Sequence, residues 1–125
     1  MRRVRWHRAA ALREVLELLR DGGDHVRLIA GGTDLIIALR AESPARDPLR
    51  LVDLWPLKDL AAIEIASGSD GDFVRVGALA THTDLQRHPD LRRCAPLLAA
   101  AAASVGSPQI RNRGTIGGNL CTGSP

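Results

Sequence analysis

Residues 107–125 read Ser-Pro-Gln-Ile-Arg-Asn-Arg-Gly-Thr-Ile-Gly-Gly-Asn-Leu-Cys-Thr-Gly-Ser-Pro, and a second glycine turn, Ala30-Gly-Gly-Thr-Asp34, stands far upstream. Glycine admits positive φ and leaves neighbouring backbone N–H groups uncovered, so such stretches belong between regular elements rather than inside them. Two hydroxyl-bearing turns of this kind suit a shared grip on one phosphate-bearing ligand. They point to a dinucleotide site.

The chain around the turns alternates strands and helices. Residues 4–7 suggest a short strand, and residues 10–20 space Ala11, Leu12, Val15, Leu16, Leu18 and Leu19 as a helix, which Gly22-Gly23 should end. Residues 26–30 read as a strand, so the first glycine turn lies between that strand and a helical pattern over residues 35–40. Ser43, Pro44 and Pro48 break the chain before a strand over residues 49–53, and a short helical turn follows over residues 57–61. Residues 63–66 and 73–76 flank Ser67-Gly-Ser-Asp-Gly-Asp72 and predict a β-hairpin, with Asp70 and Asp72 as solvated loop carboxylates. Residues 83–88 predict a helix with a Thr or Asp cap and Pro89 as its stop. Residues 91–103 predict one Ala-Leu helix ending at Ser104-Val-Gly106, with only the glycine-rich tail beyond. The pattern is that of a small mixed sheet with helices packed on it, without an internal repeat or a clear domain boundary.

Composition narrows the function classes. With 125 residues, 45% hydrophobic and 25% charged, the chain has a globular balance and the size of one domain or part of one. No apolar run reaches the roughly 18 to 20 residues of a membrane span, so no membrane insertion is expected. The basic N-terminus lacks an apolar stretch behind it, and a cytoplasmic location is the expectation. The net charge of +3 is scattered arginine interleaved with acids. Trp6, Trp55 and Phe73 are the only aromatic residues, so the basic stripe and stacking platform of a nucleic-acid binder are missing. Cys94 and Cys121 cannot supply a four-thiolate site. Cys94 reads as a small apolar residue near a helix, and Cys121 as a lining residue of the glycine motif. His7, His25, His82 and His88 are dispersed without metal-ligand spacing and read as surface or core filler, and no metal is expected. No nucleophile elbow is present, and no residue looks catalytic.

Each glycine turn has two readings. At residues 30–34 the uncovered amides and the start of the next helix fit a pyrophosphate, whereas in the plainer reading Thr33 or Asp34 merely caps that helix. The turn is neither a P-loop nor a Gly-x-Gly-x-x-Gly unit. In Gly114-Thr-Ile-Gly-Gly-Asn119 three glycines allow close backbone approach, and the Thr115 hydroxyl and Asn119 amide offer uncharged donors, with Arg111 and Arg113 adding positive charge. The plainer reading is a tight turn with a solvated basic rim.

Four blocks occur in order: Leu28-Ile-Ala-Gly-Gly-Thr-Asp-Leu35, Leu51-Val-Asp-Leu54, Val76-Gly-Ala-Leu-Ala-Thr-His82 and Gly106-Ser-Pro-Gln-Ile-Arg-Asn-Arg-Gly-Thr-Ile-Gly-Gly-Asn-Leu120. Through them the whole chain resembles the FAD-binding subunit or domain of the molybdenum hydroxylases, the group of xanthine dehydrogenase, carbon monoxide dehydrogenase medium subunits and aldehyde oxidase. The resemblance implies an α+β fold: a small mixed α/β N-terminal lobe of the FAD-binding PCMH type, shared with vanillyl-alcohol oxidase, with the start of a second, larger lobe. Residues 1–125 would be an incomplete domain of that type, with about 1–55 as first lobe. FAD would contact Ile29, Ala30, Gly31, Gly32, Thr33, Asp34 and Leu35 in the first turn. Gly114, Thr115, Gly117, Gly118, Asn119 and Cys121 would form the second, approached by Val105 and Gly106 from the preceding helix.

The resemblance further implies an FAD-dependent oxidoreductase subunit. Electrons would pass from iron–sulfur clusters through FAD to NAD or another acceptor, with an iron–sulfur subunit and a molybdopterin-binding large subunit as partners. The family continues beyond the Ser-Pro with an acidic residue that helps hold the cofactor, so tight FAD binding and activity are not expected of residues 1–125 alone. Two alternatives stand beside this: a truncated remnant or interaction module without tight FAD binding, and a reductase of cell-wall precursors from the same superfamily. The block from Gln109 to Asn119 fits the hydroxylases better than the latter.

Overall fold

A computed structural model of the chain describes residues 3–42, 48–69 and 71–123. The chain forms two compact units, Met1–Leu57 and Lys58–Pro125.

In the first unit, β1 (Val4–Arg8), β2 (Val26–Ile29) and β3 (Leu49–Asp53) form a parallel sheet in the order β1-β3-β2. The strands are joined through α1 (Leu12–Gly22), a single 3-10 turn at Gly23–His25, and α2 (Leu35–Ala41). The last strand in sequence occupies the centre, so it needs apolar residues on both faces. Leu49 and Leu51 supply one face and Val52 the other, all buried. Val52 packs with Ala9, Val15 and Val26, with Leu18 and Leu19 of α1 alongside. Leu49 and Leu51 pack with Ile29 and with Leu35 and Leu39 of α2. Helix α1 has Ala11 at its N-cap, which offers no side-chain acceptor. Glu14 in the first turn instead ties the incoming chain to the helix: its carboxylate accepts from the Ala10 amide at 2.7 Å and pairs with His7 at 2.7 Å. These hydrogen bonds hold its pKa below the usual carboxylate value, with the Ala10 amide the largest cause.

The second unit opens with a 3-10 turn (Lys58–Ala61) and an antiparallel hairpin of β4 (Ile63–Gly68) and β5 (Gly71–Val76). Among the described residues the strands therefore fall into two sheets, one parallel and one antiparallel, rather than one mixed sheet. The hairpin strands run further than residues 63–66 and 73–76. Ser67 pairs with Asp72 and donates its hydroxyl to the Asp72 carboxylate at 2.7 Å, drawing the expected loop residues into the ladder. Asp70 lies outside the described residues.

Five short helices follow: α3 (His82–Arg87), α4 (Pro89–Cys94), α5 (Pro96–Ser104), α6 (Pro108–Arg111) and α7 (Ile116–Thr122). Three expectations are corrected here. The helix expected over residues 83–88 with a Thr or Asp cap starts one residue earlier, and its cap is Thr81. Its hydroxyl accepts from the Asp84 amide while the Asp84 carboxylate accepts from the Thr81 amide, a reciprocal capping box. The Ala-Leu run is two helices, because Pro96 has no N–H to continue α4 and instead opens α5, as Pro89 opens α4. The tail is not bare loop: Ser107 and Thr115 each cap a short helix through their hydroxyls. The core gathers Ala80, Leu85, Leu91 and Ala102, with Ile63, Val74, Val76, Leu98 and Ile116 packed on it. No helix among the described residues is long and apolar enough to cross a membrane.

Candidate cofactor site

The first turn leaves β2 and enters α2. Gly32 has φ +75°, a conformation L side chains rarely adopt. A Cβ built on it would also press on Ile29 at 3.2 Å and Ile36 at 3.4 Å. Asp34 stands at the N-cap of α2, yet no side-chain cap bond forms there. The plain capping reading of Thr33 or Asp34 therefore does not describe this turn. Ile36 donates to the Gly32 carbonyl and Ala38 to that of Asp34, while the amides of Gly31, Gly32 and Thr33 have no acceptor among the described residues. Residues 30–33 are half-buried. The result is a short row of reachable backbone donors backed by Ile29 and Leu35, suited to an anionic or carbonyl oxygen.

The second turn is built differently. His82 donates its amide to the Gly114 carbonyl at 3.1 Å, Ile116 to Ala80 at 2.9 Å, and Gly117 to Ala78 at 2.9 Å. Thr81 and Thr115 form an isolated antiparallel bridge. Residues 114–117 are thus laced to residues 78–82. The Gly118 amide donates to the Thr115 hydroxyl at 3.2 Å and Asn119 to the Thr115 carbonyl at 3.0 Å. The amides of residues 116–119 are therefore engaged within the protein, and Thr115, 2% exposed, spends its hydroxyl on the cap. Gly117 is required by close approach, since a Cβ there would stand 2.7 Å from the Ala78 carbonyl oxygen. Gly118, Leu120 and Cys121 are exposed, and a Cβ at Gly118 would meet nothing but the Thr115 hydroxyl oxygen, at 3.1 Å.

Val105 and Gly106 form the turn after α5. One Arg111 nitrogen donates to both of their carbonyls, at 3.1 and 2.8 Å. That guanidinium is committed to shaping the turn. Cys94 ends α4 exposed rather than packed as an apolar residue, and its thiol donates to the Asp90 carbonyl. Among the described residues no group of His, Cys, Asp and Glu is placed to hold a metal ion.

Sequence reasoning assigned no role to residues 78–82, although they hold the tail in place. It read His82 as surface or core filler, and the side chain is buried against Gly114.

FAD fits what the residues offer in two respects. The first turn presents unclaimed backbone donors beside a glycine that only a left-handed conformation satisfies, and the second leaves an open surface at Gly118 where a side chain would intrude. A parallel α/β unit carrying such a donor turn, followed by an α+β unit ending in a capped glycine helix, defines a nucleotide-cofactor-binding domain of the α+β class. The chain belongs to the family described as the FAD binding domain in molybdopterin dehydrogenase, which matches residues 2–125. It is 42% identical over 120 residues to a putative xanthine dehydrogenase FAD-binding subunit of Escherichia coli K12, covering 95% of this chain and 39% of that protein. It is 33% identical over 123 residues to the carbon monoxide dehydrogenase medium chain of Hydrogenophaga pseudoflava, covering 98% of this chain and 41% of that one. In structure it is similar to carbon monoxide dehydrogenase from H. pseudoflava, with TM-score 0.82 and 35% identity over 94% of this chain and 39% of that one. Quinoline 2-oxidoreductase from Pseudomonas putida 86 gives TM-score 0.80 and 35% identity over 92% and 38%. The chain spans about two fifths of the length of these relatives.

Proposed function

We propose that the chain contributes the first part of the FAD site in an electron-transfer component of a molybdenum hydroxylase-type dehydrogenase. The component takes electrons from iron–sulfur clusters and delivers them to NAD or another acceptor. It works beside an iron–sulfur subunit and a molybdopterin-binding large subunit, in the cytoplasm. Residues 1–55 act as the first lobe of a PCMH-type domain and the remainder as the start of the second. When bound, FAD supplies the redox chemistry, accepting and releasing electrons.

The chain's own residues bind and orient it. The observation that carries the reading is the row of unclaimed amides at Gly31, Gly32 and Thr33, placed by β2 and held open by the φ of Gly32. Around them Ile29, Ala30, Asp34 and Leu35 complete the first contact surface. Gly114, Thr115 and Gly117 fix the second turn against residues 78–82, so that Gly118, Asn119 and Cys121 meet the cofactor as a rigid edge. Val105 and Gly106, pinned by Arg111, border it. No acid, base or nucleophile is needed from this chain.

A second reading, a module that keeps the fold without tight FAD binding, draws on the engaged amides of Gly117 and Gly118. Titration of the full-length protein with FAD separates the two. We expect stoichiometric uptake with a flavin absorption spectrum, lost when Gly32 and Gly118 are both replaced by valine. A full-length protein that never takes up FAD removes the first reading.

A further inference from the structure

His82 is 4% exposed and its imidazole makes no hydrogen bond or ion pair with any described residue, but its ring nitrogens keep a little contact with solvent; the fully enclosed, unpaired side-chain nitrogen among the described residues is His88 Nδ1. Buried polar side chains are normally paired. The polar groups around it are already engaged. Thr81 and Asp84 serve each other in the capping box, Thr83 donates to Asn112 at 2.6 Å, and the Thr115 hydroxyl caps α7. The backbone amide of His82 donates to the Gly114 carbonyl. Among the described residues no side chain is bonded to the ring.

The ring lies with its Cδ2–Nε2 edge toward Gly114. A Cβ at that glycine would stand 3.2 Å from Cδ2 and 3.6 Å from Nε2. Glycine at 114 therefore does more than let the backbone turn: it puts no side chain over the imidazole edge, at the start of the turn assigned to the cofactor. Burial disfavours the imidazolium and lowers the His82 pKa, so the ring is neutral, with one N–H donor and one acceptor nitrogen. A neutral donor and acceptor suits a hydroxyl or carbonyl partner rather than a bare anion.

We propose that His82 is a cofactor-binding residue, its Nε2 held beneath Gly114 in reserve for a hydrogen bond to a polar atom of bound FAD. The proposal rests on the FAD reading above. It adds a residue to the site from the loop that docks the tail.

The test uses full-length protein, FAD as the titrant, and two variants, His82→Phe and His82→Gln. We expect His82→Phe to weaken FAD binding about tenfold, the effect of one hydrogen bond. His82→Gln, which keeps a donor and an acceptor, should stay within about threefold of the natural protein. In the natural protein labelled with ¹⁵N-histidine, the His82 Nε2 resonance should move on saturation with FAD. This needs no variant, so it decides the matter if His82→Phe does not fold. Unchanged affinity in a folded His82→Phe protein, or an Nε2 resonance that stays put at saturation, overturns the proposal and leaves the FAD reading standing. A natural full-length protein that takes up no FAD overturns both.

Discussion

A methyl group added at Gly117 would stand 2.7 Å from the Ala78 carbonyl oxygen and 2.8 Å from the Ala78 Cβ. Real Cβ atoms do not approach backbone so closely, and the hydrogen bond from Gly117 to Ala78 would have to lengthen. Gly117→Ala should therefore destabilise the protein by about 1–3 kcal/mol, the usual cost of overpacking, read as a fall in the urea midpoint without FAD. At the neighbouring Gly118 the same methyl meets only the Thr115 hydroxyl oxygen, and alanine favours helix by about 1 kcal/mol. Gly118→Ala should leave the apo midpoint within about 1 kcal/mol and act on FAD affinity instead. Equal losses of stability from both variants would contradict this division. His82 supplies a pH dependence. Its folded pKa lies below the ordinary imidazole value of about 6.5, so the unfolded chain takes up the proton first as pH falls. Stability is unaffected by this group well above pH 6.5, declines below about 6.5, and levels off once pH passes the folded pKa. Urea midpoints between pH 7.5 and 4.5 should fall more steeply in the natural protein than in His82→Leu, and parallel slopes would refute it.

At the scale of elements, the capping box on α3 also anchors the tail, because the capping Thr81 is the residue bridged to Thr115. Thr81→Val keeps the volume and removes the hydroxyl that accepts from Asp84. It should cost about 1 kcal/mol, as N-cap losses do, and should speed amide exchange in both α3 and α7. Exchange accelerated in α3 alone would show that the tail does not depend on the bridge. Several elements were legible in the sequence because their causes are local. The spacing of residues 10–20 gives α1, the apolar Leu49-Arg-Leu-Val run gives the central strand, and the strand-turn-helix order places residues 30–34 correctly. The break at Pro96 was equally local and was passed over, because the Ala-Leu composition on both sides favours helix so strongly. Helix α7 was hidden for a different reason. Two glycines in its first turn disfavour helix by about 1 kcal/mol each, and it exists through bonds from residues 116 and 117 to residues 80 and 78. The same distance in sequence concealed that the tail's amides are engaged and that His82 is buried.

For the molecule as a whole, the question is whether one FAD is gripped by turns from both compact units, and hydrogen exchange can answer it without assuming their arrangement. The amides of Gly31, Gly32 and Thr33 have no acceptor among the described residues and lie half-buried, so in apo protein they should exchange quickly. Those of residues 116–119 are bonded within the second unit and should exchange more slowly. A ligand that binds only the folded, closed state slows exchange by a factor of about 1 + [L]/Kd, roughly hundredfold at a free FAD concentration of 100 Kd. In full-length protein, protection should therefore rise in residues 31–33 and 117–119 together, with one shared FAD midpoint, because a single binding event protects both. Gly32→Val should raise that midpoint equally at both turns. Valine is strained at φ +75° and withdraws the first turn's donors, while the second turn itself is untouched. Protection confined to one turn, or two midpoints that separate in Gly32→Val, would mean that the turns do not hold the same cofactor.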